Sequence, residues 1–464
     1  MFAPTQLGYD DGGYGLSAIA MRQGFAPFRQ IFSPQGPLFL PLVHVADLVG
    51  LEHRNAPRLL SVAAGMVCTL AVYAIAIQVM DRARAVLAGA LTAGSGILLW
   101  TTGPLTGDGP AAAFATTAVA VAVAYRRSPT RTRAALVTVL AGCAVATKSL
   151  LVGPALLIAW ALIANRRRVI DTVMVPIGAF AIVTALSLPW GVQNVLDDYV
   201  RYHLDKTSHR KPLYNLNRLA RAFSERDTFL TSLSGIGVVT AATSWGRTSW
   251  GRSPSSTGEV TDRQMTTRLG TDTRFLWWWA GIVVVVLTLQ EPMFRNHLSA
   301  FVAPVALLVA RHRPSWRWVA LAGVVAIPFQ AITLQPLLLP RDYRGTTAEI
   351  VTALRRLPHH SWALSDEPGL VWRAGLGTDP FFVDASVLRS ESTVAPIKIT
   401  ETRIVRAAEQ PRVCAVVITA LDRFGRYPGL PRRLVRAGYR RTINTGTGKP
   451  GDERGLYLRD RCRA

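Results

Sequence analysis

The sequence is short of acid, of lysine and of thiols. Asp plus Glu number 29 against 52 Lys plus Arg, giving a net charge of +23 over 464 residues. Only five of the cations are lysines: Lys148, Lys206, Lys211, Lys398 and Lys449. Charged residues make up 17% of the chain, too few for a disordered or solvating polymer. The four cysteines, Cys68, Cys143, Cys414 and Cys462, show no Cys-x-x-Cys and no Cys/His spacing. That excludes the familiar zinc and dithiol motifs. No internal or inverted repeat is visible, which argues against a secondary transporter.

What remains is apolar, and it is concentrated. Half the residues belong to the hydrophobic set, and runs such as 59–80, 169–188 and 316–339 hold almost no charge. Each is near the ~20 residues that cross a bilayer, so the chain reads as a polytopic α-helical membrane protein. The arginine excess is then a record of topology before it is a signal for nucleic acid, and no nucleic-acid partner is expected. Apolar segments fall near 59–80, 85–103, 110–125, 134–147, 149–165, 169–189, 229–245, 275–290, 297–310 and 317–339. This pattern sets Arg82, Arg84, Arg126, Arg127, Arg131, Arg133, Arg166 to Arg168, Arg247 to Arg274 and Arg311 to Arg317 on one side, the cytoplasm by the positive-inside rule.

Three parts follow: an extracytoplasmic first loop with interfacial helices (1–58), a transmembrane domain of about ten spans (59–340) and an extracytoplasmic α/β domain (341–464). In the last, 347–357, 402–409 and 431–437 have helical spacing, while 362–365, 381–383 and 413–419 read as short buried strands. Outside the cell Cys414 and Cys462 stand where they could pair, free thiols being the other reading. The outer loop 199–226 breaks the charge rule, carrying Arg201, Lys206, Arg210, Lys211, Arg218, Arg221 and Arg226. Anionic headgroups or a phosphate-bearing substrate would each account for it.

Polar candidates collect on that outer face. Tyr9-Asp10-Asp11-Gly12-Gly13-Tyr14 holds two adjacent carboxylates whose mutual repulsion can raise one pKa, although such a sequence is also ordinary for a Gly-rich surface turn. Asp108 lies between Gly107 and Gly109, either a turn former or an acidic site residue. Lys148 is a lone ammonium between two apolar segments, costly at membrane depth unless it snorkels, and therefore a candidate for function. Asp366 and Glu367, after a strand, read as helix caps.

The order Tyr9-Asp10-Asp11, Gly24-Phe25-Ala26-Pro27 and Pro34-Gln35-Gly36-Pro37-Leu38 resembles the first outer loop of GT-C glycosyltransferases. The protein O-mannosyltransferase-like and aminoarabinose-transferase-like groups are the nearest. The resemblance continues through Gly103-Pro104-Leu105-Thr106-Gly107-Asp108, Ala146-Thr147-Lys148, Leu188-Pro189-Trp190 and Phe294-Arg295-Asn296-His297, with Phe382-Val383-Asp384-Ala385-Ser386 in the C-terminal part. It implies inverting transfer of a sugar from a polyprenyl-phosphate donor to an extracytoplasmic glycan, lipid or protein acceptor, in a plasma-membrane enzyme. Asp10 would be the base and Asp11 its partner or a metal contact. Lys148, Arg295 and His297 would face the donor phosphate, with His203, Arg210 and Lys211 in a loop that closes over it, and Asp108 on the acceptor side or holding a cation. No cofactor is required by the resemblance, though a divalent cation is compatible with it.

The family normally has a span before the acidic pair, so the expectation is that an upstream span precedes the recorded start. Two other readings stay open: a transporter or flippase for a lipid-linked glycan, and a non-catalytic membrane scaffold.

Overall fold

The computed structural model describes residues 9–53, 55–164, 168–205, 212–235, 273–290, 295–312, 315–338, 345–358, 360–389, 399–446 and 452–462. It is predominantly helical. Among the described residues, four helical segments are long and apolar enough to cross a membrane: Ala56–Val79, Asp108–Arg127, Val169–Trp190 and Trp316–Leu334. The shorter apolar helices are Phe39–Val49, Leu151–Ile163 and Arg274–Leu289.

Tyr9–Arg22 (α1) and Phe39–Val49 (α2) precede the apolar helices Leu59–Val79 (α3), Arg82–Ala93 (α4), Gly96–Thr102 (α5), Asp108–Arg127 (α6), Arg131–Thr147 (α7), Ser149–Ile163 (α8) and Val169–Ser187 (α9). Pro212–Arg226 (α10), Arg274–Leu289 (α11), Ser299–His312 (α12) and Trp316–Leu338 (α13) follow. Side-chain caps fix several starts: Asp81 accepts from Arg84 N at 2.9 Å, and Thr130 from Arg133 N at 3.3 Å. Helix α6 is the buried centre, rich in alanine, and packs against α3, α7 and α8. Alanine allows such close approach where lipid provides no hydrophobic drive between helices.

The segment expected as one span over 85–103 is a bent pair, α4 and α5 meeting at 53°. Gly94 and Ser95 interrupt the backbone ladder, and their polar groups find partners: Ser95 Oγ bonds Asp227, and Gln330 Nε2 donates to the Gly94 carbonyl at 2.5 Å. Satisfaction by neighbouring segments is what permits a break at membrane depth. The span expected at 229–245 is helical over 228–235, and its remainder lies outside the described residues.

The C-terminal part comprises Thr346–Arg355 (α14), Trp362–Ser365 (β1), Pro368–Ala374 (α15), Glu401–Glu409 (α16), Val413–Ile418 (β2), Leu430–Arg436 (α17), Tyr439–Asn444 (β3) and Gly455–Arg459 (β4). The sheet order is β1-β2-β4-β3, with β1 and β2 parallel and the other pairs antiparallel. Strand β2 is buried throughout, as its unbroken apolar run requires. Cys414 and Cys462 form a disulfide with Cα atoms 5.6 Å apart, tying β2 to the end of the chain. The strand expected at 381–383 is instead a 3-10 turn, Pro380–Phe382. Pro380 presets a helical φ, and Asp379 Oδ1 accepts from Phe381 N at 3.0 Å.

The first loop and the C-terminal part share one apolar core. Tyr14, Leu16, Phe39 and Leu40 pack with Ile350, Leu354, Ala363, Trp372, Val417 and Leu456. Helix α1 lies directly on α15: a Cβ on Gly12 would come within 2.1 Å of Gly369 N, and one on Gly15 within 2.3 Å of the Trp372 ring. The glycines beside the acidic pair therefore serve a helix–helix contact and not a surface turn.

Candidate active site

Four stretches far apart in sequence meet at one end of the helical bundle. The Gly36 N–H donates to the Thr147 carbonyl at 3.0 Å, and Leu38 N–H to Ala146 at 2.9 Å. Only glycine fits at position 36, since a Cβ would stand 2.1 Å from the Ala146 oxygen. Gln35 Nε2 donates to the Tyr14 hydroxyl at 2.7 Å, and its amide flanks Gly107, where a Cβ would lie 2.9 Å from Gln35 Oε1. The first loop thereby sits over the end of α7, one residue before Lys148, and against the loop that leads into Asp108.

Lys148 is the residue between α7 and α8, and Asp108 opens α6. The Lys148 ammonium lies 2.8 Å from both carboxylate oxygens of Asp108. The lysine side chain is 14% exposed and the aspartate 3%. His297 is buried, with Nε2 3.9 Å from Asp108 Oδ1. Residues expected on opposite sides of a substrate, a phosphate ligand and an acceptor-side acid, are thus in direct contact. The sequence placed both on one face but carried no sign of their pairing, because 40 residues separate them.

The two acids of the pair have different surroundings. Asp11 is fully buried, accepting from Arg58 Nε at 3.2 Å and from Leu105 N–H at 2.6 Å. Arg58 also lies over the Trp372 ring at 5.6 Å. Asp11 is therefore a strut joining α1 to two loops, and it is turned away from exchange with solvent. Asp10, the residue before it, is exposed although protein atoms crowd it. That crowding pushes its pKa from 3.8 to about 6, with Asp384, Asp108 and Asp11 raising it further and Lys148 opposing them.

Asp384 is a site residue that sequence reasoning left unassigned. It stands in the C-terminal part yet accepts a hydrogen bond from the Tyr9 hydroxyl at 2.8 Å and acts electrostatically on Asp10. Arg423 covers the Tyr9 ring at 4.2 Å and pairs with Glu367 at 3.1 Å. Burial and Asp384 raise the Tyr9 phenol well above its usual range, keeping it a donor. Asp366 and Glu367 make no side-chain cap on α15. Asp366 instead accepts from Thr419 N and Ala420 N at 2.9 and 3.0 Å, holding the loop behind β2. Its pKa is about 6, raised by burial and drawn down by those donors.

His203 bonds the Pro34 carbonyl through Nε2 at 2.8 Å, linking the outer loop after α9 to the first loop. In the same loop Asp198 accepts from Ser33 N at 3.3 Å. Arg295 stands in a 3-10 turn with His297. Arg210 and Lys211 lie outside the described residues. Among the described residues no three His, Cys, Asp or Glu side chains converge to hold a metal ion.

Residues 36–192 match the model of the dolichyl-phosphate-mannose-protein mannosyltransferase family, a stretch that includes Asp108 and Lys148 and begins after Asp10. No curated protein matches the chain in sequence. The fold is similar to the crystal structure of ArnT from Cupriavidus metallidurans bound to undecaprenyl phosphate, with TM-score 0.62, 12% identity, 98% of this chain and 94% of that chain covered. Against ArnT of the same organism in the apo state the TM-score is 0.59, at 12% identity and the same coverage.

Proposed function

We propose that the chain, a GT-C superfamily glycosyltransferase, moves a sugar from a polyprenyl-phosphate donor to an extracytoplasmic acceptor with inversion, using Asp10 as base. The observation that carries this reading is the pairing of an accessible carboxyl whose pKa is about 6 with a neighbouring, nearly enclosed Lys148–Asp108 pair. A base must be ionised at working pH yet willing to take a proton, and a pKa raised toward neutrality meets both needs. The ArnT structure with bound undecaprenyl phosphate supports a donor of that class.

The step balances within these groups. The ionised Asp10 takes the proton from an acceptor O–H as that oxygen bonds to the anomeric carbon. The bond from that carbon to the phosphate oxygen breaks with its electron pair, and polyprenyl phosphate leaves with an added negative charge. Lys148, fixed by Asp108, is a preorganised cation for that charge. Arg295, His297, His203, Arg210 and Lys211 are proposed to complete the phosphate side, and Asp108 is assigned to positioning Lys148. The Cys414–Cys462 disulfide and the arginine-rich opposite ends of the helices support an extracytoplasmic C-terminal domain in a multi-pass plasma-membrane protein.

The test uses purified full-length protein with a panel of radiolabelled polyprenyl-phosphate sugars and bacterial envelope lipids and glycans as acceptors. Transfer by wild type, its loss in Asp10→Asn and a fall in Lys148→Ala are expected. Unchanged transfer in both variants overturns the site, and no transfer from any donor overturns the function.

A further inference from the structure

A cavity lies at the end of the bundle opposite Asp108 and Lys148. Asp108 starts α6 and Lys148 ends α7, whereas Arg126, Arg127 and Arg131 mark the far ends of the same two helices. At ~1.5 Å per residue, α6 alone separates the two sites by roughly 30 Å. At that far end α7 and α9 enclose about 860 Å³. Helix α7 contributes Arg131, Ala135 and Val139 along one face, and α9 contributes Met174 and Gly178, with Arg168 at its entrance.

The cavity is a wedge, and glycine sets its floor. A Cβ on Gly178 would lie 2.5 Å from Thr138 Cγ2, and one on Gly142 2.8 Å from the Ile182 side chain, so the parallel helices touch there. Toward Arg131 and Arg168 the cavity lies between them. The cavity is also bordered by exposed apolar surface: Val139 and Met174, which line it, and their helix neighbours Leu136, Val173 and Ile177 are each about half exposed. Trp160, 41% exposed, donates its indole N–H to the Thr172 carbonyl in the first turn of α9 and suits the polar–apolar boundary.

The charges at the mouth leave a cationic surplus. Asp171 lines the cavity but is engaged, receiving the Tyr125 hydroxyl at 2.6 Å and lying 3.8 Å from Arg168. Arg133 is occupied by the Ala124 and Ser128 carbonyls. Arg131 is exposed and has no hydrogen bond or ion pair among the described residues. Both α7 and α9 also begin here, so their N-terminal dipole ends add to the positive field.

We infer that this wedge binds one anionic phospholipid of the adjacent leaflet, its phosphate between Arg131 and Arg168 and its acyl chains along the gap between α7 and α9. A phosphate needs bidentate or paired cations, and acyl chains need the exposed apolar walls; the cavity offers both in the order a lipid presents them. The inference is independent of the sugar transfer proposed above.

The test is native mass spectrometry of the purified full-length protein in detergent, titrated with dioctanoyl phosphatidylglycerol, dioctanoyl phosphatidylcholine and glycerol 3-phosphate. Phosphatidylglycerol should bind in preference to phosphatidylcholine, and Arg131→Gln with Arg168→Gln should weaken it by roughly ten- to thirtyfold, at ~1 kcal/mol per surface cation. Arg131→Lys with Arg168→Lys should keep the preference, while Ala135→Phe, which fills the wall and leaves both arginines, should weaken both lipids. These last two decide the matter if the Gln pair does not fold. Equal binding of the two lipids, or phosphatidylglycerol binding unaffected by Ala135→Phe, overturns the site. Glycerol 3-phosphate binding as tightly as phosphatidylglycerol would make it a free-phosphate site and also overturn the lipid assignment.

Discussion

If Asp10 is the base, its raised pKa fixes the acid limb of the pH–rate profile, and Asp384 should move that limb. With a pKa of about 6, Asp10 is roughly nine-tenths ionised at pH 7 and one-tenth at pH 5. Transfer should therefore fall about tenfold between those values, with a slope of one on the acid side. Asp384 raises the Asp10 pKa, and Lys148 lowers it. Replacing Asp384 by Asn preserves an oxygen for the Tyr9 hydroxyl but removes the repelling charge. Burial, the largest cause of the shift, remains, so the midpoint should drop below about 6 without returning to 3.8, and the variant at pH 5 keeps more of its own plateau rate than wild type does. Lys148→Gln should shift the limb the other way. The assay is kcat/KM for a polyprenyl-phosphate sugar in nanodiscs from pH 4.5 to 8. A wild-type limb centred near 4, or an Asp384→Asn limb that stays put or rises, would refute both the assignment of the base and its cause.

Other outcomes follow from the same contacts. Lys148→Met strands a 3% exposed carboxylate, and breaking such a pair costs roughly 3–5 kcal/mol. Adding Asp108→Asn should restore most of the melting temperature but not the transfer rate, which separates the structural share from the chemical one. Gly36→Ala forces a Cβ to within 2.1 Å of the Ala146 oxygen and should cost about 1–3 kcal/mol in thermal unfolding, with activity lost as Lys148 shifts, whereas Gly153→Ala meets open space and should be neutral or slightly stabilising. Removing the Cys414–Cys462 bridge, which closes a 48-residue separation, should destabilise by about 4 kcal/mol on the loop-entropy scale. The same bridge should be cleaved by a membrane-impermeant reductant on intact cells; resistance there with cleavage after lysis would contradict an external C-terminal domain.

The sequence carried the apolar helices, the charge asymmetry between their ends and the grouping of Asp10, Asp108, Lys148 and His297 on one face. These are local quantities: a run of apolar residues, the arginines at its ends, and a polar residue isolated beside it. The α4–α5 break was not readable because its partners, Asp227 and Gln330, are remote in sequence. Strand β3 is not legible for a different reason, since Tyr439 is buried while Arg440 to Thr442 are all exposed, leaving no alternating pattern.

Tertiary structure alone decided how neighbouring or similar residues divide their work. Asp10 and Asp11 are adjacent in sequence, yet a helix places them on different sides, one exposed and the other buried and locked to Arg58. Asp108 and Lys148 became a single pair, and Asp384 was drawn from the C-terminal part to the first loop. Sequence sets which segments avoid water and which end carries charge, because those follow from composition along the chain. It does not set which carboxylate titrates, because that depends on charges and protein atoms brought close only by folding.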